Sequence, residues 1–316
     1  MFQKYKNIII QLIKAIISVI IIFFIVRYVI KNVNALNNFE FHLNYFYLII
    51  SFFILLIYIF NQFVLWYYLT RKNQCSISFS NSMTSRAYSE FGKYIPGKVF
   101  GYAMLFYAYS KTKQSKMLVA FCMFFELLAS VLAASLIFLL SLFFTDIHEF
   151  QKYRIIAFIL LAFFFVLIHP KILKYVSAVF LKIAKREPVQ LNVSYIQLLK
   201  IIFLYVLNFL VFGVAFVLFI NSIYPVSFSN YLFITGTTAG AGLIGLFAIF
   251  VPAGLGVREG ILVFTLSFIL PPAYTGIIAL TSRLWITFAE LFLVGLIFGF
   301  SKIKRLKISK YFITNN

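Results

Sequence analysis

Two proline–glycine breaks, each followed by a basic residue, are the parts of this sequence best suited to bind an anion. The first break, at residues 96–97, precedes Lys98, and the second, at residues 252–256, precedes Arg258. Proline interrupts helical hydrogen bonding, and a helix that begins after a break exposes free N–H groups and a positive dipole end. Lys98 and Arg258 are therefore expected to form an anion-binding pair, for a phosphate or a carboxylate.

Both basic residues also have a simpler interpretation. Lys98 can extend to the aqueous surface, and Arg258 can pair with the neighbouring Glu259. The residues that would shape the breaks form a set of structural candidates: Pro96, Gly97, Gly101, Pro252, Gly254, Gly256 and Gly260.

Three ionisable residues lie inside apolar stretches, where charge is costly and usually functional. Glu126 is isolated in its stretch and is expected to face the protein interior. Arg283 precedes Glu290 by seven residues, or two helical turns, so the two share a helix face. They are interpreted either as a structural ion pair between helices or as a binding or gating pair.

A half-polar stretch before the first break carries Arg86, Glu90 and Lys93, together with Ser82, Ser85 and Tyr88. These residues line a polar vestibule or form a solvated amphipathic face. The complete set of substrate-binding candidates is Arg258, Lys98, Arg283, Glu259, Arg86 and Lys93.

Evidence for enzyme chemistry is weak. The three histidines have no metal-ligand spacing, and no phosphate-binding P-loop motif is present. Residues 240–245 spell G-x-G-x-x-G but lack the strand and acidic residue of a dinucleotide site, so these glycines are interpreted as packing residues, as are Gly236 and Gly240. We expect no metal and no cofactor.

The composition requires that these residues be positioned by a membrane protein. Of the 316 residues 63% are hydrophobic and 11% charged, with a mean hydropathy of +0.99, whereas soluble domains are about half apolar and about a quarter charged. The net charge of +20 comes from basic residues between apolar runs. This arrangement indicates membrane topology and gives no support for nucleic-acid binding.

Six apolar runs have the length of a membrane span, which is about 20 residues: 8–30, 45–69, 117–144, 155–170, 198–220 and 276–300. Residues 77–110 and 229–270 fit poorly because they are half polar or broken by Gly and Pro. We interpret both as re-entrant helical hairpins, since broken backbone at membrane depth needs protein or a water-filled cavity around it. The alternative is a solvated loop for 77–110 and two short spans for 229–270.

Lysine and arginine predict the orientation. They concentrate near residues 4–6, 71–72, 111–116, 171–186 and 302–310, and are sparse in 31–44, 145–154 and 221–228. By the positive-inside rule the first group is cytoplasmic. Both termini of this multi-pass protein of the cytoplasmic (inner) membrane are then inside, and residues 301–316 form a basic cytoplasmic tail.

The order of elements occurs twice. Span, span, hairpin and span make up residues 1–144, and the same order returns in residues 155–300 with the opposite orientation. Such halves are typical of inverted-repeat transporters, whose broken helices form the substrate site near the midplane. The alternative is a coincidence between two proline–glycine breaks. The predicted fold is an all-α integral membrane domain over residues 1–316, with six long transmembrane helices and two re-entrant hairpins in an inverted repeat.

The segment 92–101, Gly-Lys-Tyr-Ile-Pro-Gly-Lys-Val-Phe-Gly, together with 252–260 and Arg283, resembles the lysylphosphatidylglycerol synthase transmembrane family, which is also described as flippase-like. The resemblance covers nearly the whole chain. This sequence departs from the usual family pattern at Ala253, where glycine is common, and at Phe100, where tryptophan is common.

The resemblance implies a lipid-handling function. In well-known members this region is joined to a cytoplasmic aminoacyl-transferase domain and flips the aminoacylated lipid, and other members act in polyprenyl-linked glycan assembly. We expect a membrane domain without the synthase domain that flips an anionic phospholipid or a polyprenyl phosphate. The alternatives are a non-catalytic partner of a glycosyltransferase or aminoacyl-lipid synthase, and a lipid-modifying enzyme with Glu126 or Glu290 as base.

Overall fold

The structure is a computed structural model that describes residues 43–73, 75, 77–92, 99–110, 116–167, 175, 195–248, 254 and 256–313. Within these ranges the regular structure is helical, as predicted, and no strand occurs. The predicted first span, 8–30, lies outside them. In chain order the helices are α1 (Tyr45–Lys72), α2 (Phe79–Gly92), α3 (Val99–Ser110), α4 (Lys116–Phe144), α5 (His148–Gln151), α6 (Arg154–Leu167), α7 (Tyr195–Asn221), α8 (Tyr231–Phe247), α9 (Val257–Leu266) and α10 (Pro272–Ile313).

Four of these helices are long and apolar enough to cross a membrane, and they agree with four predicted spans. They are Tyr45–Lys72, Leu118–Phe144, Ile196–Asn221 and Pro272–Phe300. Large apolar side chains such as Phe53, Phe203 and Phe288 are exposed on them, as expected for surfaces that face lipid. The chain is therefore a multi-pass membrane protein.

The predicted span 155–170 corresponds to α6, a shorter apolar helix in the described residues. Its 14 residues measure about 21 Å at a rise of 1.5 Å per residue, which is less than the hydrocarbon thickness of about 30 Å. The sequence after Leu167, up to residue 174, lies outside the described ranges.

The two stretches predicted as hairpins each fold into a pair of short helices that pack against each other. The first contains α2 and α3, of 14 and 12 residues, and the second contains α8 and α9, of 17 and 10 residues. At lengths of about 15 to 26 Å, none of the four reaches across a bilayer. The alternative of a solvated loop at 77–110 is wrong for the described residues, because Phe79–Gly92 and Val99–Ser110 are helices that pack against each other.

Glycines bring α8 close to α4. A Cβ at Gly236 would overlap the side chain of Ser141, and one at Gly240 would lie 2.7 Å from the ring of Phe138. Gly242, the middle glycine of the G-x-G-x-x-G sequence, faces open space. The prediction that Gly236 and Gly240 serve close packing is confirmed.

The chain divides into two compact units. The first unit contains Met1–Leu55 and Leu127–Arg283, and the second contains Leu56–Glu126 and Leu284–Asn316. The first hairpin belongs to the second unit, and the second hairpin belongs to the first unit. The division into halves 1–144 and 155–300 stays a prediction.

Candidate functional site

Two glycines of the second break, Gly254 and Gly256, form the described part of the turn before α9. Gly254 and Gly256 have φ values of +67° and +82°, in the left-handed region where only glycine is unstrained. A Cβ at Gly254 would come within 2.8 Å of the Gly245 carbonyl oxygen. The turn therefore requires glycine at 254 for both its backbone conformation and its close approach to α8. Pro252 lies outside the described residues.

Glu259 caps the start of α9. The backbone N–H of Gly256 donates a hydrogen bond of 2.6 Å to Oε2 of Glu259. Because the N-cap residue is glycine, it offers no side-chain acceptor, and Glu259 provides the side-chain half of this cap. The negative charge also lies at the positive end of the helix dipole. Glu259 is buried, and a buried polar group needs such a hydrogen-bond partner.

Arg283 on α10 is the second partner of Glu259. Its Nη1 lies 3.4 Å from Oε1 of Glu259, and the two side chains are 26% and 6% exposed. The sequence suggested Glu290 as the partner of Arg283 and Arg258 as the partner of Glu259, so this pair was not predicted. Arg258 is half-buried in the first turn of α9 and directly precedes Glu259 in the sequence.

The second unit contains a different ionic cluster, centred on Arg86 of α2. Nη1 of Arg86 lies 3.0 Å from Oε2 of Glu126 on α4, and Nε lies 3.6 Å from Oε1 of Glu90. The Arg86 side chain is 12% exposed and that of Glu126 is 9% exposed. Glu126 faces the interior as predicted, and the interpretation of Arg86 and Glu90 as a solvated face is wrong.

Aromatic residues complete this cluster. The guanidinium of Arg86 lies 5.8 Å from the ring centroid of Trp66 on α1, within the range of a cation–π contact. Trp66 Nε1 donates a 2.9 Å hydrogen bond to the Tyr109 hydroxyl, which lies 3.0 Å from Oγ of Ser82. The cluster thus connects α1, α2, α3 and α4. Sequence reasoning did not identify Trp66 or Tyr109, because single aromatic residues give no signal in a chain that is 20% aromatic.

The two arginines are suited to different tasks. Arg86 is enclosed by two carboxylates and an aromatic ring, so the geometry favours a structural role over the predicted contact with substrate. Arg283 has a longer contact with its carboxylate and a larger exposed fraction. Of the two, Arg283 is better placed to bind an incoming anion.

The remaining candidates are distributed as follows. Lys93, Pro96, Gly97 and Lys98 lie outside the described residues. Gly101 is buried near the start of α3, which begins at Val99, just after the predicted break. Gly260 lies in α9 with open space beside it, and Glu290 is half-buried on α10.

Metal and thiol chemistry receive no support from the part of the chain that the structure describes. In it, no three residues among His, Cys, Asp and Glu are grouped to hold a metal ion. Burial raises the pKa of Cys75, between α1 and α2, to about 11. This thiol is therefore protonated near neutral pH and is a poor nucleophile.

Comparison with known families matches residues 11–295 to the lysylphosphatidylglycerol synthase TM region. The match includes both hairpins and the segment of α10 that carries Arg283. A search of curated proteins found no significant match.

Proposed function

Because this chain belongs to the family of the lysylphosphatidylglycerol synthase TM region, we propose that it translocates an anionic or phosphate-bearing lipid across the cytoplasmic membrane. Candidates are an aminoacylated phospholipid and a polyprenyl-phosphate-linked lipid. Family membership supports a lipid-related function in the membrane, and flipping is the proposed form of that function.

The proposed topology has six spans and two re-entrant hairpins in an inverted repeat, with both termini in the cytoplasm. The short, packed helices α2, α3, α8 and α9 support it, since each is too short to cross the bilayer. Hairpins at membrane depth must bury their broken backbone within protein or a cavity. Transporters commonly build substrate sites from such broken helices.

The single observation that carries the proposal is the environment of Arg283. It lies eleven residues after Pro272 and seventeen before Phe300, near the middle of an apolar helix of spanning length. A charge at this depth is costly unless compensated, and such residues commonly mark a transport pathway. Arg283 is compensated by Glu259 at 3.4 Å and still exposes 26% of its side chain. It can therefore offer donors to a lipid phosphate.

Arg258 provides a second cation beside the same turn. It occupies the second position of α9, directly before Glu259. We propose that Arg258 and Arg283 bind the headgroup while the acyl chains stay in the bilayer. A fixed cationic site lowers the cost of moving an anionic headgroup through the hydrocarbon region.

Headgroup translocation in proteoliposomes tests the proposal. Purified protein is reconstituted with labelled lysyl-phosphatidylglycerol, phosphatidylglycerol or a polyprenyl phosphate, and flipping is compared with that of protein-free liposomes. We expect the protein to flip at least one of these lipids faster than protein-free liposomes do. We expect an Arg258→Ala variant with the wild-type melting temperature to lose this activity. Normal flipping by this folded variant would contradict the assignment of Arg258, and no flipping of any lipid by folded wild-type protein would contradict the function.

A second candidate function is that of a membrane partner for a separate glycosyltransferase or aminoacyl-lipid synthase. The observation that favours it is the extension of α10, which continues 13 residues beyond Phe300 to Ile313. This extension is about 20 Å long and carries Lys302, Lys304, Arg305, Lys307 and Lys310. Basic segments next to a span bind anionic lipid surfaces or acidic partners. Co-purification of an enzyme, together with absence of flipping by the chain alone, would favour this function.

A further inference from the structure

We propose that Glu259 is the resting counter-ion of Arg283, and that the monoanionic phosphodiester of a lipid headgroup takes its place at the guanidinium. This inference rests on the proposed function, because it assumes that an anionic lipid reaches the site. It makes Glu259 an internal competitor of the substrate, which differs from the predicted direct contact with substrate.

The contact between Arg283 and Glu259 has the features of one that can open. Its 3.4 Å separation exceeds the length of a strong charge-assisted hydrogen bond, which is about 2.7–2.9 Å. The contact uses Nη1 alone, although a guanidinium carries five N–H donors in a fork that fits phosphate. The 26% exposure of Arg283 leaves part of the guanidinium accessible to another anion.

Glu259 remains compensated when Arg283 turns away. Its other oxygen, Oε2, accepts the 2.6 Å hydrogen bond from the Gly256 N–H. The carboxylate also lies at the positive end of α9, which favours a negative charge. Since one oxygen binds the helix terminus and the other binds Arg283, the arginine can exchange partners without leaving a bare buried charge.

The ion pair of the second unit lacks this arrangement. Arg86 and Glu126 are 3.0 Å apart and both nearly buried, with Trp66 covering the guanidinium. Opening that pair would leave two charges without their closest compensation, which is strongly unfavourable. Exchange with a ligand is therefore a property of Arg283 and not of Arg86.

The charges around the turn select the ligand class. Arg283 is paired with one carboxylate, that of Glu259, so its exchange leaves one positive charge to be neutralised. A phosphodiester carries one negative charge and neutralises it, whereas a phosphomonoester carries about −1.5 to −2 near pH 7. Excess charge at membrane depth is costly, so the site favours a phosphodiester headgroup over a phosphomonoester.

The test is the binding of phosphatidylglycerol to Glu259→Gln. Glutamine keeps an oxygen that can accept the Gly256 N–H bond and removes only the charge that holds Arg283. Phosphatidylglycerol with brominated acyl chains quenches tryptophan fluorescence when it binds, so the quenching reports its affinity. The ratio of this affinity to that of brominated phosphatidylcholine measures headgroup selectivity. Removal of this weak contact, which uses a single guanidinium nitrogen, is expected to raise the relative affinity for phosphatidylglycerol by about two- to fivefold.

The competition has a signature that a structural role lacks. In an Arg283→Gln background, Glu259→Gln is expected to bring no gain in affinity, because the competed guanidinium is absent. Glu149→Gln, at an exposed position of α5, controls for the change in net charge. Unchanged or weaker binding by Glu259→Gln, or a gain that persists without Arg283, would overturn the inference.

Two comparisons with the wild-type protein complete the test. Wild-type protein is expected to prefer phosphatidylglycerol to phosphatidic acid, a phosphomonoester, and the reverse preference would overturn the ligand class. If wild-type protein binds neither lipid more tightly than phosphatidylcholine, the inferred headgroup class is overturned, whereas the proposed function is contradicted only if folded wild-type protein flips no lipid, including a polyprenyl phosphate. If it binds phosphatidylglycerol but Glu259→Gln brings no gain, only the role of Glu259 is contradicted.

Discussion

Arg86 and Arg283 show how the same residue type serves stability in one place and ligand binding in another. Both lie next to a buried glutamate from a different helix. They differ in the length of that contact and in their exposure. Because Arg86 is held by two carboxylates and covered by an aromatic ring, its removal should affect folding before function.

Replacing Arg86 by glutamine is expected to destabilise the protein. The substitution leaves Glu126 buried beside a neutral side chain and removes the cation from the face of Trp66. Breaking one side of a buried pair costs about 3–5 kcal/mol. The thermal melting temperature in detergent should therefore fall clearly, whereas Arg71→Gln, at the exposed end of α1, should change it little. Equal melting temperatures for both variants would show that the Arg86 cluster is not structural.

At the residue scale, the sequence predicted which residues are candidates better than it predicted which residues pair with each other. Arg283 and Glu126 were identified as candidates because ionisable residues in apolar segments are rare and costly. Glu259 was identified from its place at the second break, and Arg86 from the half-polar stretch before the first break. Their pairings were not predicted, because Glu259 and Arg283 are 24 residues apart and belong to different helices. No helical period connects such positions, and only tertiary packing brings them together.

The helices themselves follow closely from hydropathy and from glycine. The predicted spans 45–69, 117–144 and 198–220 agree with α1, α4 and α7 to within a few residues at each end, because about 20 apolar residues are needed to cross the bilayer. The two stretches that contain paired short helices were identified from their breaks, and their re-entrant topology stays a prediction. The partner of each packing glycine could not be predicted, because a small residue permits close approach without specifying what approaches.

The turn before α9 should depend on glycine at position 254. Gly254→Ala forces a side chain into a left-handed backbone conformation and against the Gly245 carbonyl, at a cost of about 1–3 kcal/mol. Gly260→Ala, in the same hairpin, meets open space and should gain about 0.8–1 kcal/mol of helix propensity. The melting temperature should fall in the first variant and hold or rise in the second. The opposite order would contradict the described turn.

The contact between α8 and α4 gives a second matched pair. Gly240→Ala places a methyl group 2.7 Å from the ring of Phe138, whereas Gly242→Ala, two residues along α8, touches nothing within 4 Å. Overpacking typically costs about 1–3 kcal/mol. Thermal unfolding should therefore separate the two variants, with Gly240→Ala the less stable. Equal stability would indicate that α8 and α4 are not in close contact.

For the whole molecule, the fold class and the family could be predicted from sequence, because composition and two short motifs carry that information. Residues 11–295 match the family, and the described residues are helical. The inverted repeat depends on the orientation of each element relative to the bilayer. Orientation follows from the distribution of Lys and Arg rather than from packing, so it requires a measurement in membranes.

Cysteine labelling tests the orientation. In a variant with Cys75 and Cys122 replaced by serine, Ser229→Cys before α8 should react with an impermeant maleimide added outside. Asn81→Cys in α2 should react only after the membrane is permeabilised, because the positive-inside rule puts that end in the cytoplasm. Both native positions are exposed, so access is not limited by burial. Labelling of both from the same side would contradict the proposed topology.

The central claim is that Arg283 binds the anionic headgroup during translocation, and the flipping rate of phosphatidylglycerol in proteoliposomes tests it most directly. Wild-type protein is compared with Arg283→Gln and with the control Arg71→Gln, after thermal unfolding has shown that both variants keep the wild-type melting temperature. A hydrogen bond to a charged group is worth about 1.5–3 kcal/mol, so Arg283→Gln should flip the lipid about 10- to 100-fold more slowly, while Arg71→Gln keeps the wild-type rate. A wild-type rate in folded Arg283→Gln would contradict the claim.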